Sequence, residues 1–169
     1  MPHQIDPFRL AESGAELSGP IPLKQMQRLL PLLADDSGEV DVVLNFDIDE
    51  LGVPYVNGHV KAKLNIVCQR CLEPFDYPVE QDIILAWVRN DLEAERLPLR
   101  YEPYLVVEDP LMLKDVIEDE LLLALPNVPM HEEKNCPASE LLAAQDKNVH
   151  SQQDEDENPF SILAKLKDK

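Results

Sequence analysis

All three cysteines of this 169-residue chain, and one of its four histidines, fall into a single pattern: Cys68-Gln69-Arg70-Cys71, then His131, then Cys136. Two soft ligands one turn apart, followed by a His/Cys pair one short loop apart, is the ligand spacing of a tetrahedral zinc site. Such a site would join the middle of the chain to a distant loop, which constrains the fold more than any other feature. Four protein ligands leave no open position for water, so the expected cofactor is one structural zinc ion rather than a catalytic one. The competing reading is that these are plain buried thiols, since free cysteine behaves as a small hydrophobe. A redox Cys-x-x-Cys belongs at a helix N-terminus, whereas here Pro74-Phe75 and a strand follow. A Cys–His nucleophile pair using His131 lacks any adjacent Gly-rich turn or orienting motif. His3, His59 and His150 show no recognisable spacing.

Net charge is −18, distributed unevenly. Residues 61–90 carry four acidic and four basic side chains, while the stretches on either side are strongly acidic. Nucleic-acid binding is normally driven by neutralising phosphates, so a chain this acidic is a poor general RNA binder. Only Lys61, Lys63 and Arg70 stand outside the negative field, and they are the RNA-binding candidates. The acidity otherwise suits solubility or a basic partner. No apolar run approaches a membrane span, the N-terminus has no secretory pattern, and thiols in metal spacing suit a reducing compartment. A cytoplasmic protein with no membrane contact is expected.

Asp6-Pro7 predicts a short helix ended by Gly14, and the stripe Leu23, Met26, Leu30, Leu33 predicts a second, kinked at Pro31. Val40, Val42, Leu44, Phe46 and Ile48 alternate with more polar positions as a half-buried strand. Asn57-Gly58 reads as a turn, beyond which Val60, Ala62, Leu64 and Ile66 resume the alternation and Cys68 keeps its phase. Tyr77, Val79, Ile83, Leu85 and Trp87 mark a third long strand with Gln81 as its one lapse, and Glu102–Val107 a shorter fourth. The Cys-x-x-Cys thus sits at a hairpin tip. Asp109-Pro110 opens a helix to about Leu125, with Leu113, Val116, Ile117, Leu121 and Ala124 on its buried face, stopped by Pro126. The consecutive Glu118, Asp119 and Glu120 read as solvated faces.

The fold class is therefore α+β: a single domain over residues 1–144, with an antiparallel sheet of about four or five strands packed with two or three helices. Residues 145–158 read as a flexible acidic linker and 159–169 as a short amphipathic helix. Phe160, Leu163 and Leu166 on that helix are partner-docking candidates, against the alternative that it folds back on its own sheet. No P-loop, dinucleotide fingerprint or His-Glu-x-x-His is present, so neither an enzyme nor a small-molecule substrate is expected.

Four blocks in order resemble the YceD family, the large ribosomal RNA subunit accumulation proteins. They are Cys68-Gln69-Arg70-Cys71, the run from Val116 to Pro126, Val128-Pro129-Met130-His131 with Cys136, and Asn158-Pro159-Phe160 with Leu163-Ala164 and Leu166-Lys167. The resemblance implies a bacterial cytoplasmic protein, a non-enzymatic factor supporting synthesis, processing or accumulation of large-subunit (23S) ribosomal RNA. Its partners would be that RNA or ribosome-assembly proteins. The alternative is an acidic module or chaperone for a basic ribosomal protein or assembly enzyme, without direct RNA contact.

Overall fold

A computed structural model describes residues 1–107 and 110–139. Two compact units are present, Met1–Met130 and the residues from His131 onward. The first is α+β, and its elements follow in chain order: β1 (Gln4–Ile5), α1 (Pro7–Ser13), β2 (Glu16–Pro22), β3 (Leu33–Asp35), β4 (Glu39–Ile48), β5 (Pro54–Val67), β6 (Pro74–Val88), α2 (Asp91–Ala94), β7 (Glu102–Leu105), β8 (Leu111–Met112) and α3 (Leu113–Ala124). One sheet runs in the order β2-β4-β5-β6-β7, with β3 pairing β5, and a two-stranded ribbon joins β1 to β8. All pairs are antiparallel except β6 with β7, which is parallel. In the second unit one turn of 3₁₀ helix spans Glu133–Asn135. The linker and terminal helix expected at 145–158 and 159–169, with Phe160, Leu163 and Leu166, lie outside the described residues, as does Asp109.

The predicted alternations hold along the long strands except at Ile48, which is exposed at the end of β4. Val40, Val42, Leu44 and Phe46 of β4, Val60, Ala62, Leu64 and Ile66 of β5, and Val79, Ile83, Leu85 and Trp87 of β6 form one buried face. Leu113, Val116, Ile117 and Leu121 of α3 belong to the same cluster. Phe46 stacks on Trp87 with ring centroids 6.1 Å apart, and Tyr104 meets the same indole edge-on at 5.5 Å. Asp6 caps α1 through its side chain on the Arg9 N–H, and Gly14 ends it in the left-handed region.

Several expectations are corrected. Asn57-Gly58 is no turn but the middle of β5, where Gly58 faces Leu44 on one side and Ile83 on the other. A Cβ at Gly58 would sit 2.5 Å from the Val43 carbonyl oxygen, so the glycine serves close strand approach rather than reversal. The real turn lies at 49–53, where Asp49 Oδ1 accepts the Leu51 and Val53 N–H groups and Gly52 takes φ +82. Those hydrogen bonds, the Val53 N–H foremost, hold the Asp49 carboxyl below its usual range. Residues 16–22 form an unforeseen strand, β2, whose Pro20 and Pro22 are accommodated because it pairs only with β4. The second helix is absent. Leu23–Gln25 and Leu30–Leu32 are single 3₁₀ turns, and the buried side chains recur every third residue at Leu23, Met26 and Leu29. The main helix starts at Leu113 rather than behind Pro110, because Leu111 and Met112 are taken up in the ribbon with β1.

The consecutive carboxylates of α3 are also not solvated faces. Glu118 is buried, and its Oε1 accepts the backbone N–H groups of Arg28 (2.6 Å) and Leu29 (3.0 Å) while Oε2 meets the Arg28 guanidinium at 3.2 Å. The same guanidinium reaches Asp119 at 2.6 Å. Glu120 is buried on the other side and accepts from Gln81, which explains the one polar lapse on the inner face of β6. Burial, then the neighbouring Glu102 and Asp119, push the Glu120 carboxyl up. Burial likewise raises the Tyr104 phenol to about 12, aided by Asp119 and Asp115.

Glu118 thus substitutes for a helical carbonyl in securing the 23–32 segment to α3. Glu118→Ala strands the Arg28 N–H and leaves the Leu29 N–H only its 3.2 Å bond to the Met26 carbonyl, so it should cost roughly 1–3 kcal/mol, measured by urea denaturation, whereas Glu118→Gln keeps one acceptor and should cost less.

Candidate metal centre

The tip of the β5–β6 hairpin reverses in six residues between the paired Val67 and Pro74. Cys68 continues the buried phase of β5 and is itself buried, while Cys71 is half-buried in the turn. The Cys68 N–H donates to the Glu73 carbonyl at 3.0 Å, and the Leu72 N–H to the Cys68 carbonyl at 2.8 Å. The Arg70 N–H donates to Cys68 Sγ at 3.4 Å. Leu72 completes the reversal at φ 63, a left-handed conformation that costs a non-glycine residue about 1–2 kcal/mol. Its side chain is exposed, so no packing offsets that strain. The Gln69 N–H donates to the Pro129 carbonyl at 2.8 Å, which ties the loop after α3 to the hairpin tip.

Pro126 ends α3 by forcing Leu125 into extended backbone, ψ 138. His131 follows five residues after Pro126, and the single 3₁₀ turn at 133–135 separates it from Cys136. The Asn135 N–H donates to the Glu132 carbonyl at 2.9 Å, and the Ser139 N–H to the Cys136 carbonyl at 3.0 Å. Cys136 is buried.

One ligand atom from each of Cys68, Cys71, His131 and Cys136 lies within 4.8 Å of the others. These are the four residues that the spacing selected. Zinc–sulfur bonds of about 2.3 Å at tetrahedral angles place sulfurs roughly 3.8 Å apart, so a contraction of an ångström or less would close the set around one ion. Three thiols and an imidazole suit a soft or borderline cation and offer nothing to magnesium or calcium, which require oxygen. The donor set can therefore hold a metal.

The candidate RNA contacts lie elsewhere in the same hairpin. Lys61 and Lys63 project from the outer face of β5, where Lys63 Nζ meets Asp76 at 2.6 Å and Lys61 Nζ approaches Glu80 at 3.9 Å. His59 beside them bonds Asp82 at 2.8 Å and Glu80 at 3.3 Å, and the Asp82 hydrogen bond leads in raising its pKa. Arg70 is in the tip itself, half-buried. The cations of β5 are thus matched across the ladder by carboxylates of β6. What the sequence did not disclose is the strained Leu72 and the backbone bond between Gln69 and Pro129, since neither has a side-chain signature.

Comparison with known proteins bears on the same residues. The family model for large ribosomal RNA subunit accumulation protein YceD matches residues 56–167, which include all four ligand candidates. A protein of Haemophilus influenzae (strain ATCC 51907 / DSM 11121 / KW20 / Rd) bearing that name is 32% identical over 173 aligned positions, covering 100% of this chain and 97% of its own. No solved structure matches. No helix among the described residues is long and apolar enough to cross a membrane.

Relieving the turn strain should leave the ligands in place. Leu72→Gly is expected to raise stability by roughly 0.5–1 kcal/mol in chemical denaturation, once glycine's larger unfolded-state entropy is subtracted.

Proposed function

The chain belongs to the YceD family of large ribosomal RNA subunit accumulation proteins, and on that premise we propose that it is a non-enzymatic, cytoplasmic ribosome-biogenesis factor. It supports the synthesis, processing or accumulation of large-subunit ribosomal RNA. The observation that carries the reading is a likeness spanning the whole chain together with a four-residue donor set that leaves no coordination position for a substrate.

Zinc held by Cys68, Cys71, His131 and Cys136 would act as a structural clip between the hairpin tip and the loop behind α3. Its chemistry is folding energy rather than catalysis. If the clip is shared, Cys71→Ser should remove hydrogen-exchange protection both at residues 68–73 and at residues 127–137. Loss at one place alone would count against a common ion.

Direct RNA contact through Lys61, Lys63 and Arg70 would require phosphates to displace Asp76 and Glu80 from the two lysines. The net charge of −18 adds a general repulsion. These two facts favour the second reading, in which the acidic surface engages a basic ribosomal protein or an assembly enzyme. Binding to a large-subunit RNA fragment across a salt series separates the two. Direct contact must give a log–log slope of about −0.7 per phosphate neutralised on single strands, and a flat or absent response leaves the protein partner as the mode of action.

A further inference from the structure

One cavity combines features that the family assignment does not use. It has a volume of about 300 Å³ and is walled by Phe8 of α1, Pro54 of β5, and Trp87 and Val88 of β6, with Arg89 and Arg96 at its margin. The Arg89 guanidinium lies 3.9 Å from the centroid of the Phe8 ring, which holds it in place. Among the described residues neither Arg89 nor Arg96 has a carboxylate within ion-pair distance, although the chain carries 33 acidic side chains. Glu93 also lines the cavity, but its two oxygens already accept the Arg89 N–H (2.8 Å) and the Asn90 side-chain amide (3.0 Å). Trp87 also lines the cavity and is 2% exposed.

Two guanidinium groups select an anionic acceptor, and their planar fork matches a carboxylate. The surrounding Phe8, Pro54 and Val88 require the rest of the ligand to be apolar. They also disfavour a phosphate dianion, which would have to shed far more water against those walls. We propose that this cavity binds an apolar carboxylate, with the acid group at Arg89 and Arg96 and the hydrocarbon against Phe8 and Pro54. The acid could reach it as a free small molecule or as the end of a polypeptide with an apolar last residue, and the chemistry recognised is the same.

Trp87 is the one tryptophan of the chain, so its emission reports this cavity without interference. The full-length protein is titrated with N-acetyl-leucine, with N-acetyl-leucine amide, and with a tetrapeptide ending in leucine. The two acids should shift the emission saturably, and the amide should leave it unchanged up to about 10 mM. Arg89→Gln and Arg96→Gln should each weaken the acids about tenfold, with melting temperatures close to that of the parent protein. A tetrapeptide bound at least tenfold more tightly than N-acetyl-leucine identifies a chain end as the ligand, and the reverse order a free acid. Equal response to acid and amide, an unmoved emission, or indifference to both arginine substitutions would overturn the site.

Discussion

The ladder between β5 and β6 is the constraint from which the rest is arranged. Thirteen residue pairs run from Tyr55↔Ala86 to Val67↔Pro74 without a register shift. Side chains alternate strictly along such a ladder, and a slip of one residue would turn the whole inner face outward. That register sets the buried surface that α3 covers. It carries Gln81 to the carboxylate of Glu120, and it delivers Cys68 in buried phase to the far end. The continuity depends on Gly58, because any side chain there would collide with the backbone of β4 and open the sheet midway along β5.

Much of this was legible in the sequence. Period-two alternation identified β4, β5 and β6 and their inner residues, because a half-buried strand leaves that pattern whatever surrounds it. The four candidate ligands were legible for a different reason: thiols and imidazole are scarce, and their spacing is restricted by the geometry of the ion they would hold. The errors came from residues whose local preference was overridden by a distant partner. Asn57-Gly58 has the composition of a turn, yet the neighbouring strand, not the turn, needs the missing Cβ. The stripe from Leu23 to Leu33 has near-helical spacing, but Glu118 captures the N–H groups of Arg28 and Leu29 from ninety residues away. Nothing in a local window announces such a partner.

Charge in this protein is organised by element and not simply spread over the surface. The carboxylates of β6 neutralise the cations of β5, those of α3 hold Arg28, and Asp49 takes Arg100 and the Tyr101 hydroxyl. Most acidic groups on the described elements remain unmatched by cations, so the field outside the molecule is negative even where lysines are present. Such a field attracts basic surfaces and repels phosphates. The conserved logic of the family name does not require otherwise, since a change in RNA abundance follows from a stabilised protein component as readily as from a direct grip on RNA.

The two prolines of β2 have one further effect. An outermost strand normally offers a free row of amide donors to any passing extended chain, and molecules can stack through it into fibrous aggregates. Pro20 and Pro22 delete two of those donors on one flank of the sheet, while the opposite flank, β7, is only four residues long. Neither flank can template further growth. Copies of the chain are thereby kept from joining edge to edge into a common sheet.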